Sequence, residues 1–169
     1  MAARISLRDY QRELAARLQS AASRHAATKL GLQVGAEHWL VDLGEAGEVV
    51  PVPPVTPVPL ARPWFRGVAN IRGNLYGVVD LSAFLGGAPA AAGEQSRLLL
   101  ISERFRMGCG LLVDRSLGLR NPDALRPLAA QAPRAAWVRA EYGDAEGGHW
   151  KELNVAQLVQ QPEFLAAGA

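Results

Sequence analysis

Over residues 6–24 apolar side chains recur at every third or fourth position, at Leu7, Tyr10, Leu14, Leu18 and Ala21, the spacing of one helical face. Ser6 followed by Asp9 makes a helix start. The pattern predicts an amphipathic helix whose face of Arg8, Arg12, Glu13 and Arg17 is either solvated or docks a partner. From Glu37 the pattern changes: His38 to Leu43 reads as a strand and Gly44 to Gly47 as a turn. Val49 to Pro63 carries six prolines. Proline lacks the N–H that a central strand must donate, so this stretch runs extended along an edge or over the surface. Its interleaved Val and Leu suit burial against a barrel better than display as a proline-rich partner motif.

Trp64 to Ile71 and Leu75 to Asp80 flank Arg72, Gly73 and Asn74, where Gly and Asn readily take positive φ, and this predicts a β-hairpin. Leu81 to Leu85 reads as one helical turn ended by Gly86 and Gly87, and Ala88 to Ser96 as a mobile loop. Leu98 to Ser102 and Gly108 to Val113 predict a second strand pair. Ala136 to Tyr142 and His149 to Leu153 predict a third, and Asn154 caps a final helix through Val155, Leu158 and Val159 towards Pro162 and Phe164. Short strands between Gly-rich turns, with helices at the ends and in one link, indicate a mainly β fold of closed or nearly closed barrels, which leave few edges to aggregate. Val79-Asp80 and Val113-Asp114 echo each other and hint at two similar lobes.

Composition narrows the class. A chain of 169 residues that is 49% hydrophobic fits one compact unit, and with Cys109 alone no intramolecular disulfide forms. No apolar run is long enough to span a bilayer, and the N-terminal arm is amphipathic rather than a signal peptide, so a cytoplasmic location is expected. Residues 1–30 hold six Lys/Arg against two Asp/Glu, and the remainder twelve against fourteen. The pI near 9.0 would suit nucleic acid, but the body's arginines are spread singly among acids, which disfavours it.

Catalytic chemistry finds no constellation. His25, His38 and His149 fall in different elements without zinc-ligand spacing. Cys109, between two glycines on an apolar strand, reads as a small buried thiol. Neither a phosphate loop nor a dinucleotide fingerprint is present. Asp80 and Asp114 each close a strand, where a carboxylate caps a turn or meets an Arg such as Arg72 or Arg115 more often than it does acid–base work. An enzyme would need His38, Cys109 and Asp114 brought together in one pocket.

The stretch Phe65-Arg66-Gly67-Val68-Ala69-Asn70-Ile71-Arg72-Gly73-Asn74-Leu75-Tyr76-Gly77-Val78-Val79-Asp80-Leu81 resembles the signature of the CheW family, an apolar strand, N-[LI]-R-G, then a strand ending in D-L. The Pro-rich approach to Trp64, the strand Gly110 to Arg115 and the Leu-rich C-terminal helix follow in the family's order, covering about 35–165. Gly77 departs from the pattern, since many members have Pro there. The resemblance implies an arm over 1–30 and a domain over 35–165 of two small SH3-like β-barrels packed side by side, with no cofactor and no catalysis. It further implies an adaptor between the cytoplasmic tip of a methyl-accepting chemoreceptor and the SH3-like regulatory domain of a CheA-type histidine kinase, monomeric in isolation and recruited to membrane-associated receptor arrays without inserting in the bilayer. The N-terminal helix and Arg-rich body resemble the PilI branch, which serves the chemosensory system of type IV pili and twitching motility. Another chemosensory pathway and a small-barrel nucleic-acid binder are the alternatives. Implied partner-binding residues are Val68, Asn70, Ile71, Arg72, Gly73, Asn74, Val113 and Asp114. Arg72 stands out, because a guanidinium at a hairpin tip either reaches a partner's carboxylate or fixes the turn against Asp80 or another acid.

Overall fold

The computed structural model describes residues 28–129 and 134–168; the helix expected over 6–24 lies outside them. The first strands, β1 (Lys29–Val34) and β2 (Glu37–Asp42), form a hairpin, after which the chain crosses to a second sheet through β3 (Ala46–Pro51), β4 (Phe65–Ile71) and β5 (Asn74–Asp80). A one-turn helix α1 (Leu81–Phe84) leads to β6 (Arg97–Ile101) and β7 (Cys109–Val113). The chain then returns to the first sheet as β8 (Arg115–Arg120), β9 (Arg126–Pro127), β10 (Val138–Gly143) and β11 (His149–Leu153), and closes with α2 (Val155–Leu158) and α3 (Pro162–Leu165). Among the described residues the sheet orders are β8-β1-β2-β11-β10-β9 and β3-β6-β7-β5-β4. These are the two SH3-like barrels: the middle of the chain builds one, and both ends build the other. Hence β11 pairs with β2 in parallel; within the second barrel β7 pairs with β5 in parallel.

Strands β6 and β7 are continuous apolar runs because both of their faces are buried. Leu99, Ile101, Leu111 and Val113 join a core shared with Leu32, Trp39, Val41 and Leu153 of the first barrel. The alternate positions Leu98, Leu100 and Leu112, with Val78, fill the interior of the second. Each such side chain contributes about 1.5–3 kcal/mol on burial, so the shared core fastens one barrel to the other.

A polar cluster reinforces that junction. Glu45, between β2 and β3, is buried and accepts from Arg139 Nη2 at 2.6 Å and from the Val155 N–H at 3.0 Å, with Arg104 of the β6–β7 connection 3.4 Å away. Glu152, also buried, accepts from Lys29 at 2.9 Å, Arg139 at 3.1 Å and the Tyr142 hydroxyl at 2.8 Å. Burial alone would push the Glu152 carboxyl up, but the hydrogen bonds from Lys29, Tyr142 and Arg139 outweigh it and hold the group below the usual carboxylate range.

Several expectations are corrected. β1 and β8 lie in stretches whose pattern predicts no strand. The turn after β2 falls at residues 43–45, and Gly47 belongs to β3. The single C-terminal helix is two, because Pro162 starts a new helix at its first turn and cannot donate an N–H back to an older one. Residues 88–96 form an anchored loop: Ala90 is buried with its N–H on Asp80, and the Ser96 hydroxyl bonds Ala91 O and receives the Gly93 N–H. The Val79-Asp80 and Val113-Asp114 echo lies on the neighbouring strands β5 and β7 of one barrel, so it does not mark two lobes.

Candidate hairpin-tip interface

The β4–β5 hairpin pairs Ile71 with Asn74 across a two-residue turn. Both turn residues have positive φ, 53° at Arg72 and 87° at Gly73, the conformation whose twist matches the flanking strands. Asn70 Oδ1 accepts the Gly73 N–H at 2.9 Å and pins the turn. With the backbone so fixed, the Arg72 guanidinium meets Glu48 of β3 through two parallel bonds, Nη1 to Oε2 at 2.8 Å and Nη2 to Oε1 at 2.6 Å. That hydrogen-bonded fork raises the Arg72 pKa above its ordinary value. Strands β3 and β4 are the two edges of their sheet, so the fork spans the seam at which the barrel closes. The acid that Arg72 meets is therefore Glu48, whereas Asp80 is buried, caps α1 through the Ala83 N–H at 3.1 Å and lies 3.4 Å from Arg66.

Asn70, Arg72, Gly73 and Asn74 are exposed together at the tip. Ile71 and Val68 are half-buried, Ile71 against the second barrel's core, while Val79 belongs to the shared core. Val113 is fully buried, so its side chain is a core contact and not a surface one. Asp114 stands apart from the tip. Its Oδ2 accepts the Gly35 N–H at 2.6 Å and holds the β1–β2 turn. Two tip residues escaped the sequence reading, Glu48 and the 67% exposed Leu75. The only sequence signal for either was an acid inside an apolar strand and a Leu next to a turn. The tip thus presents a planar cation, a carboxylate, amides and one large apolar side chain, a mixture suited to recognising protein surface.

The residues an enzyme would need remain separate. Cys109 is buried in β7 with its thiol pushed up to about 12 by that burial, His38 stacks on Trp150 in the other barrel at 4.8 Å between ring centroids, and Asp114 is engaged with Gly35. A surface groove of about 900 Å³ has Trp39, Trp137 and Leu85 on its lining, and its polar side chains pair with each other as Lys151 with Glu37, and His149 and Arg134 with Glu141. Among the described residues no cluster of three or more His, Cys, Asp or Glu could hold a metal ion. Among them, too, no helix is long and apolar enough to cross a membrane.

The model of the CheW-like domain family matches residues 29–163. Protein PilI of Pseudomonas aeruginosa is 35% identical over 92 residues, 54% of this chain and 51% of PilI. Chemotaxis protein CheW of Thermotoga maritima is 32% identical over 91 residues, 53% of this chain and 58% of that protein. The chain thus spans about half the length of the curated relatives it matches. The crystal structure of the scaffolding protein TtCheW from Thermoanaerobacter tengcongensis superposes with a TM-score of 0.64 at 18% identity, covering 76% of this chain and 89% of that one, a likeness of fold.

Proposed function

The chain belongs to the CheW-like domain family, and from that premise we propose that it is a non-catalytic adaptor that couples a methyl-accepting chemoreceptor to a CheA-type histidine kinase. The observation that carries the proposal is the family match over 29–163, which takes in both barrels and the hairpin tip. The tip's chemistry supports it: a rigid turn displays Arg72, Asn74 and Leu75 beside Glu48, with apolar and forked polar contacts on one surface. In this reading the chain contacts the SH3-like regulatory domain of the kinase and the cytoplasmic tip of the receptor, and is held at membrane-associated arrays by those contacts. The 35% identity to PilI favours the chemosensory system of type IV pili and twitching motility, whereas the 32% identity to a chemotaxis CheW favours a second reading, another chemosensory pathway.

Calorimetric titration of the purified chain against the regulatory domain of each CheA-like kinase of its own genome, with single-stranded DNA as control, distinguishes these readings. Saturable binding to the pilus-system kinase is the expected result. Binding only to a flagellar-type kinase moves the chain to the second pathway, and salt-dependent DNA binding without kinase binding contradicts the adaptor role.

A further inference from the structure

The proline-rich segment is only half absorbed by the fold. Val52 and Val55 pack on the second barrel's core, but Val58 is 41% and Leu60 86% exposed. Leu60 also has a φ of 56°, a left-handed conformation that Gly or Asn adopts at far lower cost than a bulky apolar residue. Clamps on both sides hold it there. Thr56 bridges to Val68 on one side; on the other, Ala61 bridges to Gly168 and the Arg62 N–H donates to Ala167 O at 2.8 Å. Pro57 and Pro59 fix their own φ between the clamps. The product is a stiff turn with an apolar knob at its crest, whose ordering entropy is lost on folding and not at an encounter.

Beside the knob lies a groove of about 380 Å³ lined by Arg62, Trp64, Pro162, Glu163 and Ala166. Trp64 is seated by stacking on Phe164, ring planes 9° apart, and with Pro162 and Ala166 it makes a wall that suits a branched aliphatic side chain. Arg62 and Glu163 are exposed, and neither joins an ion pair among the described residues.

We propose that this surface is a self-association site, a two-fold contact in which Leu60 of each copy enters the Trp64–Pro162 groove of the other while Arg62 of each meets Glu163 of the other. Two features select a second copy as the occupant, and a third sets the strength of the contact. Knob and groove are adjacent, Leu60 lying two residues before Arg62 of the lining, and an isologous contact needs both elements on each copy. The two unpaired charges have opposite sign, so a copy turned about a two-fold axis satisfies both at once. The apolar area is small, so the contact is weak and concentration-dependent rather than obligate. The site lies at the start of β4, roughly 20 Å along the strand from the Arg72 turn, and the adaptor contacts can fail or hold independently of it.

Sedimentation velocity of the full chain from about 10 µM to about 1 mM tests this range of weak affinities, and a shift from monomer towards dimer is expected. Leu60→Asn, which suits the left-handed backbone, should leave the melting temperature unchanged or higher while weakening association at least several-fold. Arg62→Glu and Glu163→Arg should each weaken it, and mixing the two variants should restore it, because every mixed contact then joins opposite charges. A monomer at all concentrations overturns the proposal. So does a mixture that stays monomeric, or a Leu60→Asn variant that melts earlier while associating as before. Loss of kinase-domain binding by Leu60→Asn in a chain that never dimerises would also overturn it, in favour of a different partner.

Discussion

Arg72 holds a left-handed backbone and a two-bond fork to Glu48 at once, yet the pair is largely in solvent, where screening leaves an ion pair little influence on stability. Arg72→Ala should therefore leave the melting temperature nearly unchanged and weaken kinase-domain binding at least several-fold; unchanged affinity would reduce the fork to a seam contact. Glycines divide sharply by their surroundings. At Gly67, with φ 130°, an added Cβ would overlap the Thr56 carbonyl and sever the Thr56–Val68 bridge, so Gly67→Ala should destabilise by about 3 kcal/mol or more in urea unfolding. At Gly73, with φ 87° and open space around the Cβ position, Gly73→Ala should cost about 1–2 kcal/mol. Cys109 makes a third residue-scale test. Its thiol is buried and pushed up to about 12, so the native chain at neutral pH should resist maleimide, and the urea-unfolded chain should react fully.

Among the elements, the β4–β5 hairpin was legible because its signals are local: two apolar runs, a Gly at the turn, and an Asn able to bond its own backbone. β1 and β8 were not. Gly31 and Gly118 face each other across that pair, next to a register shift, and two strands that each carry a glycine lose the alternation that betrays a strand. The charged cluster was illegible for another reason, since Glu45 and Arg139 are 94 residues apart in sequence and Lys29 and Glu152 are 123 apart. No local pattern can announce such partners, and a separation of 24 residues likewise concealed Glu48 as the partner of Arg72. The cluster has a pH signature. Because the Glu152 carboxyl is held low in the fold, its stabilisation is complete above the unfolded value of about 4.3 and is lost as pH falls through the lower folded value. Melting temperature should drop below about pH 4, and Glu152→Gln should flatten part of that slope while destabilising the chain by about 3–5 kcal/mol at pH 7. An unaltered acid profile in the variant would mean that the cluster does not couple to folding.

At the scale of the molecule, the chain's path explains what a linear reading misjudged. Its middle closes one barrel before its end returns to finish the barrel that its beginning started, so neither lobe is a half of the sequence and a short internal echo is no guide to lobes. The shared core, with β6 and β7 buried on both faces, packs the two barrels against each other, as the proposed adaptor would need if two partners bound to it are to keep a fixed relation. The most direct measurement of the proposed bridging role is co-sedimentation of the CheA-type kinase with receptor-containing membranes, with and without this chain. The adaptor account predicts that the kinase pellets with the receptor only when the chain is present, and less so with Arg72→Ala. Kinase that pellets equally well without the chain, or never with it, would contradict the account.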